Sequence, residues 1–127
     1  MMNKKDFSIV CIGAGNVATH LAQALQQKGF HLSQIYSRTQ ESAQALAQTL
    51  GCAWTTCLEQ VDEHADLYIV SVKDAVLETV ISQLVHCNPD ALYLHTAGSM
   101  PMEVWKEKFK NYGVAYPMQT FRDRKST

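Results

Sequence analysis

The chain has 127 residues, 46% of them apolar and 18% charged, with a formal net charge of −1. That length suits one domain with a single core, and the composition excludes disorder, collagen and coiled coil. No apolar run approaches the ~20 residues of a membrane span, and the near-neutral charge gives no electrostatic case for nucleic acid.

Residues 7–12, Phe-Ser-Ile-Val-Cys-Ile, form a nearly continuous apolar run. It is too short for a signal-peptide core, so with no secretion signal in view a cytoplasmic protein is expected. Its pattern predicts a strand buried on both faces. Gly13-Ala14-Gly15 ends it, and Val17, Ala18, Leu21, Ala22 and Leu25 then recur at helical spacing. Lys28-Gly29 closes that helix. Gln34-Ile35-Tyr36 is a second short strand. A helix follows with Ala43, Leu46, Ala47 and Leu50 on one face and Gly51 as its stop. Residues 52–55 read as a weak third strand, and Thr56-Cys57-Leu58-Glu59 has the spacing of a capping box opening a short helix. Residues 67–72 are the clearest later strand. Asp74 can cap the next helix, whose apolar positions run from Val76 through Leu77, Val80, Ile81 and Leu84 to Val85. Asn88-Pro89 breaks the chain, and residues 91–94 form a fifth strand. A helix is expected from Pro101 to about Lys110, with Gly113 just beyond, and Val114-Ala115-Tyr116 is a short sixth strand.

Strand and helix alternate throughout, which argues for a parallel α/β sheet with helices on both faces. Right-handed crossovers restrict it to a Rossmann-type doubly wound sheet of about six strands in the order 3-2-1-4-5-6.

Gly13, Ala14, Gly15, Asn16, Val17 and Ala18 spell G-x-G-x-x-A between a buried strand and an amphipathic helix. That context makes the motif a dinucleotide site. Gly13 permits the tight turn, Gly15 lets a pyrophosphate approach the backbone, and Ala18 lets the helix pack on the sheet. Free N–H groups at the helix start face the phosphates. The second strand ends in Ser37-Arg38-Thr39, with no acid until Glu41. An NAD site usually places a carboxylate here for the ribose 2′-hydroxyl. Arg38 instead suits a 2′-phosphate, with the two hydroxyls as further donors, so NADP(H) is favoured over NAD.

Ligands of such sheets sit at the carboxyl ends of the strands. Lys73 there is a candidate for ribose or substrate contact, set against a solvated lysine. Asp74 reads as a cap. His95 is a candidate acid, base or orienting group, set against a structural histidine. Gly98 allows close backbone approach to a ligand. Cys11, Cys52, Cys57 and Cys87 contain no C-x-x-C pair and read as free thiols in a reducing compartment. Cys52, Cys57 and His64 match no zinc spacing, so no metal is expected.

The ordered set Ile12 to Ala18, Tyr36-Ser37-Arg38-Thr39, Tyr68 to Asp74, His95-Thr96-Ala97-Gly98-Ser99 and Tyr116-Pro117-Met118-Gln119-Thr120-Phe121 resembles a family of NADP oxidoreductases. These join an N-terminal Rossmann-like domain to a helical C-terminal domain of unknown function, and are related to pyrroline-5-carboxylate reductase and the deazaflavin-dependent NADP oxidoreductases. The resemblance implies NADP at residues 13–18 and 37–39, and cofactor or substrate contacts near Ser71, Val72, Thr96, Ala97 and Gly98. It supplies no established catalytic residue, which leaves Lys73 and His95 as candidates. The family's C-terminal domain, which in related reductases provides dimerisation and much of the substrate pocket, is expected to be absent from these 127 residues. Residues 1–121 are thus expected to be the NADP-binding domain and 122–127 a polar tail. Expected partners are a small-molecule substrate and a second copy, the latter through the absent domain. The function expected is hydride transfer between nicotinamide and a carbonyl or imine. The alternatives are a non-catalytic NADP(H)-binding or sensing module and a scaffold that binds nothing.

Overall fold

The structure, a computed structural model, describes residues 7–96, 102–106 and 108–115. Its strands are β1 (Ser8–Ile12), β2 (His31–Tyr36), β3 (Ala53–Thr55), β4 (Leu67–Val70), β5 (Leu92–Thr96) and β6 (Tyr112–Ala115). Among the described residues three α-helices, α1 (Asn16–Gln27), α2 (Gln40–Leu50) and α3 (Asp74–Ser82), lie between them, with 3-10 turns at Leu58–Gln60 and Met102–Trp105. The strands form one sheet in the order β3-β2-β1-β4-β5-β6, and every pair is parallel. This is the doubly wound α/β topology that the alternation of elements predicts.

β1 shows why its sequence is apolar without a break. Successive strand side chains point to opposite faces. Ile9 and Cys11 enter one core with Leu21 and Leu25 of α1 and Leu46 and Leu50 of α2. Val10 and Ile12 enter the other with Leu77, Val80 and Ile81 of α3 and Leu58 of the first 3-10 turn. Both faces of the central strand are covered, so neither can be polar.

Several elements differ from the sequence expectation. β4 stops at Val70, which leaves Ser71, Val72 and Lys73 in the following loop. Lys73 holds the cap position of α3 and Asp74 is its first residue, so Asp74 complements the helix dipole from the first turn rather than capping from outside. α3 ends at Ser82, short of Val85. The chain then tightens into three-residue hydrogen bonds, Leu84 to Ile81 and Cys87 to Leu84. That spacing turns Leu84 and Cys87 inward and leaves Val85 58% exposed, while Pro89 prevents the helix from continuing.

The Thr56 capping box does not form. Cys57 holds the cap position without a side-chain cap bond, and the Thr55 hydroxyl accepts from the Cys57 N–H at 3.1 Å. The helix expected from Pro101 is, among the described residues, only the Met102–Trp105 turn. β6 begins at Tyr112, earlier than Val114, because the Tyr93 N–H already donates to the Asn111 carbonyl at 2.9 Å. Gly113 therefore lies inside the strand, and Tyr116 lies outside the described residues.

Buried aromatics support this end of the sheet. Tyr68 and Tyr93 are register partners on β4 and β5, and their rings stack at 4.8 Å. Phe109 lies 3.9 Å from Tyr93, and Trp105 lies 5.6 Å from it. The Trp105 indole N–H donates to His95 Nδ1 at 2.9 Å. Indole nitrogen can only donate, so His95 Nδ1 carries no proton in this arrangement. Replacing Trp105 by Phe removes that donor from a buried ring nitrogen and should cost about 1–3 kcal/mol. Urea unfolding checks this as a lowered midpoint with an unchanged m-value.

Candidate functional site

The carboxyl ends of four strands are tied together by backbone hydrogen bonds. The Gly13 N–H donates to the Tyr36 carbonyl at 2.7 Å, the Ser37 N–H to Thr55 at 3.2 Å, and the Ser71 N–H to Ile12 at 2.8 Å. Gly13 has φ +119°, and a Cβ there would stand 2.3 Å from the Ser71 carbonyl oxygen. Its lack of a side chain is therefore demanded by the protein itself.

Gly15 is different. It caps α1 with φ −80°, which any residue can adopt, and a Cβ would meet nothing within 4 Å. Nothing in the described protein requires glycine here, whereas a ligand approaching the backbone would. The first turn of α1 has neither a side-chain cap nor an acidic residue. Its leading N–H groups are thus available to an anion. Ala18 is buried beneath the helix, as close helix–sheet packing requires, while Asn16 and Val17 are exposed.

These loops border a cleft of about 700 Å³. Gly13, Ala14, Gly15, Ser37 and Arg38 line it from one side, and Ser71, Val72 and Lys73 from the other. Eight of the sequence candidates are thus brought together. Thr39 is not among the lining residues. Its hydroxyl accepts from the Ser42 N–H at 3.3 Å and caps α2. His95 and Thr96 do not line the cleft either; His95 is 1% exposed and faces Trp105. Ala97 and Gly98 lie outside the described residues.

Sequence reading missed the rest of the lining. Tyr36 comes from the end of β2, Ser42 from α2, Thr56, Cys57, Leu58 and Glu59 from the segment after β3, Val76, Thr79 and Val80 from α3, and Gln83 from its C-terminal cap. The cleft exists because β3 and β4 are joined by one short 3-10 turn instead of a full crossover helix, which leaves the sheet face beside α3 partly open. The only available signal was Val76, an apolar residue on a stripe shared with Thr79 and Gln83.

The polar groups of the cleft suit a phosphorylated ligand. Arg38 and Lys73 contribute two cations against the single carboxylate of Glu59 among the described lining residues. Ser71 Oγ is buried without a hydrogen-bond partner, a state that buried hydroxyls rarely keep unless something else supplies the bond. Cys11, Cys52 and Cys87 offer little thiolate. Burial, reinforced by the nearby Cys52 thiol, pushes Cys11 up to about 12. Burial also raises Cys52 and takes Cys87 to about 11 against the lowering effect of its bond to Tyr68. Among the described residues no three potential metal ligands stand together, and no helix is long and apolar enough to cross a membrane.

The family model of NADP oxidoreductases, coenzyme F420-dependent, matches residues 8–97. The chain belongs to that family. A Bacteroides fragilis structure assigned as an NADP oxidoreductase is 50% identical, with a TM-score of 0.87 over 96% of this chain and 48% of its own. The chain therefore spans about half the length of that relative. The imine reductase of Myxococcus stipitatus in complex with NADP+ shares the fold at 18% identity and TM-score 0.69, over 87% of this chain and 42% of its own. So does the prephenate dehydrogenase of A. aeolicus in complex with hydroxyphenyl propionate and NAD+, at 17% identity and TM-score 0.71, over 84% of this chain and 40% of its own. No curated protein matches the chain significantly.

The two motif glycines of this NADP oxidoreductase domain should separate by experiment. Gly13→Ala should lose about 3 kcal/mol or more of stability, from backbone overlap and positive φ. Gly15→Ala should stay within about 1 kcal/mol of the parent. Chemical denaturation of the two variants beside the parent measures both.

Proposed function

We propose that this chain is the NADP(H)-binding domain of an oxidoreductase that moves hydride between nicotinamide C4 and a carbonyl or imine carbon. The observation that carries the reading is the pairing of an open Gly15 with Arg38 in one cleft. The first marks where a ligand's phosphates meet bare backbone, and the second replaces the carboxylate of an NAD site. Family membership supports NADP(H) as the cofactor.

The residues present fit that group. The leading amides of α1 would hold the pyrophosphate, Arg38 and Ser37 the 2′-phosphate, and Ser71 Oγ would gain the partner it lacks by bonding a ribose hydroxyl. Lys73, at the cleft's rim, is positioned to attract the phosphates and is the candidate proton source on this chain. When bound, the cofactor supplies the hydride, and the protein's part is orientation and charge. In this reading the substrate pocket and the pairing of two copies belong to a C-terminal domain, for which the 48% coverage of the Bacteroides fragilis relative leaves room. A reducing, cytoplasmic setting goes with it, supported by four free cysteines.

Calorimetry tests the reading. NADPH should bind this chain more tightly than NADH, and Arg38→Ala should remove about tenfold to a hundredfold of that preference. Absence of NADPH binding at millimolar ligand would overturn the proposal. Binding without substrate-dependent turnover, even when the C-terminal domain is supplied, would favour the sensing module.

The cysteines give a second measurement. Cys57 lines the cleft, while half-buried Cys52 does not. NADPH should slow alkylation of Cys57 and leave Cys52 unchanged, as read by mass mapping of labelled peptides. Equal protection of both, or of neither, would count against a ligand seated in this cleft.

A further inference from the structure

Trp105 grips β5 at two successive inward positions. Tyr93 and His95 stand two residues apart on that strand, so their side chains leave the same face of the sheet. The Tyr93 ring packs on Trp105 with centroids 5.6 Å apart, and His95 accepts the indole N–H at Nδ1, 2.9 Å away. Trp105 is fully buried and is backed by the Phe109 ring at 5.5 Å. The two contacts differ in kind. Ring packing fixes a separation and tolerates tilt. A hydrogen bond fixes a direction, and this one lies in a buried setting where no water competes for it. His95 is the last inward side chain of β5, and its orientation is the one that is set.

The residue next to it is Thr96. In the ladder His95 of β5 is level with Val70 of β4. One residue further on, β4 leads into Ser71 and β5 ends at Thr96. The two hydroxyl residues are therefore neighbours at the carboxyl ends of adjacent strands. Thr96 is half-buried. Its side chain leaves the face opposite to His95, the face on which Leu94 packs with Leu21 and Leu25 of α1.

With pyrophosphate on the α1 amides and 2′-phosphate at Arg38, one nucleoside of the cofactor lies on the β2 side of β1. A dinucleotide spans the point where the strand order reverses, so its other half extends over β4 and towards β5. It meets Ser71 first and Thr96 next. We propose that His95 and Trp105 are a positioning pair for the nicotinamide half of the cofactor: their hydrogen bond fixes the end of β5 and so holds Thr96 where that half is received. The inference rests on the NADP(H) reading above. His95 acts through Thr96 and orients; it does not touch the ligand or exchange a proton with it. The adenosine half, on the far side of β1, is indifferent to the bond.

Two probes separate the halves. NADPH carries both, whereas 2′,5′-ADP carries the adenosine and its 2′-phosphate and ends before the nicotinamide half. The parent chain should bind NADPH at least about tenfold more tightly than 2′,5′-ADP. Trp105→Phe keeps a ring and removes the N–H. It should leave 2′,5′-ADP within about twofold of the parent and shrink the gap to about threefold or less. His95→Leu removes the acceptor and should do the same. His95→Asn puts a carbonyl oxygen in place of Nδ1 and should keep a gap of about fivefold or more. Phe109→Leu loosens the same aromatic cluster without touching the bond, and the gap should stay at the parent's value. Each variant is titrated below its own melting transition, and either bond-breaking variant suffices for the comparison if the other does not fold. Equal affinity of the parent for the two probes would overturn the inference and leave the cofactor reading intact. So would a gap that survives both bond-breaking variants, or one that Phe109→Leu or His95→Asn closes as far as they do. Failure of the parent to bind either probe would overturn the cofactor reading, and this inference with it.

Discussion

The close contact between the loop after β1 and the loop after β4 is the constraint on which the site depends. A side chain at Gly13 would collide with the Ser71 carbonyl, and the Ser71 N–H is bonded to Ile12. Adjacent parallel strands run beside each other here until one turns sharply into α1 and the other into α3. The turn at Gly13 places the bare start of α1 next to Ser71 and Lys73. Without it, the leading amides of α1 and the residues after β4 would not face one space. The residue most exacting for the fold thus sets the geometry that a ligand would use.

The cleft is also a consequence of uneven covering. One face of the sheet carries α1 and α2, which fill their side with Leu21, Leu25, Leu46 and Leu50. The other face carries α3 and two 3-10 turns. One of those turns stands where a full helix would otherwise close the space between β3 and β4. The opening is therefore built by an omission in the connection, and α3 supplies one wall of it. The stack of Tyr68, Tyr93, Phe109 and Trp105, none of which lines the cleft, fills the same face with aromatic surface. His95 belongs to that closed end through its bond to Trp105.

Much of the architecture was legible in the chain. The unbroken apolar run of β1, the helical spacing of Leu21 and Leu25, and the glycine loop between them identify a strand, a turn and a helix without tertiary information. The strand order follows from that loop and from the handedness of crossovers. Less legible were the elements whose length is decided by neighbours. Periodicity through Val85 extends α3, yet the tightening that turns Leu84 and Cys87 inward ends it at Ser82. Thr56 has capping-box spacing, yet the Thr55 hydroxyl takes the amide of the turn. Thr39 reads as a ligand contact from its place beside Arg38, and the fold uses it to cap α2.

Spacing, periodicity and residue type are local, and they act along the chain. For that reason the sequence by itself determined the order of strands and helices, the glycine turn, the absence of a carboxylate after β2, and the presence of Arg38 in its place. Which side chains share a space is a matter of packing between segments distant in sequence. Only the tertiary structure decided that Gly13 is required by Ser71 while Gly15 is not required by the described protein, that Ser71 Oγ is buried without a partner, and that His95 turns to Trp105. It also decided that Thr79 and Gln83 face the same cleft as Arg38. The physical reason is that a cleft is shaped by the elements around it and by the helix that is not there, and neither leaves a periodic trace in the residues that line it.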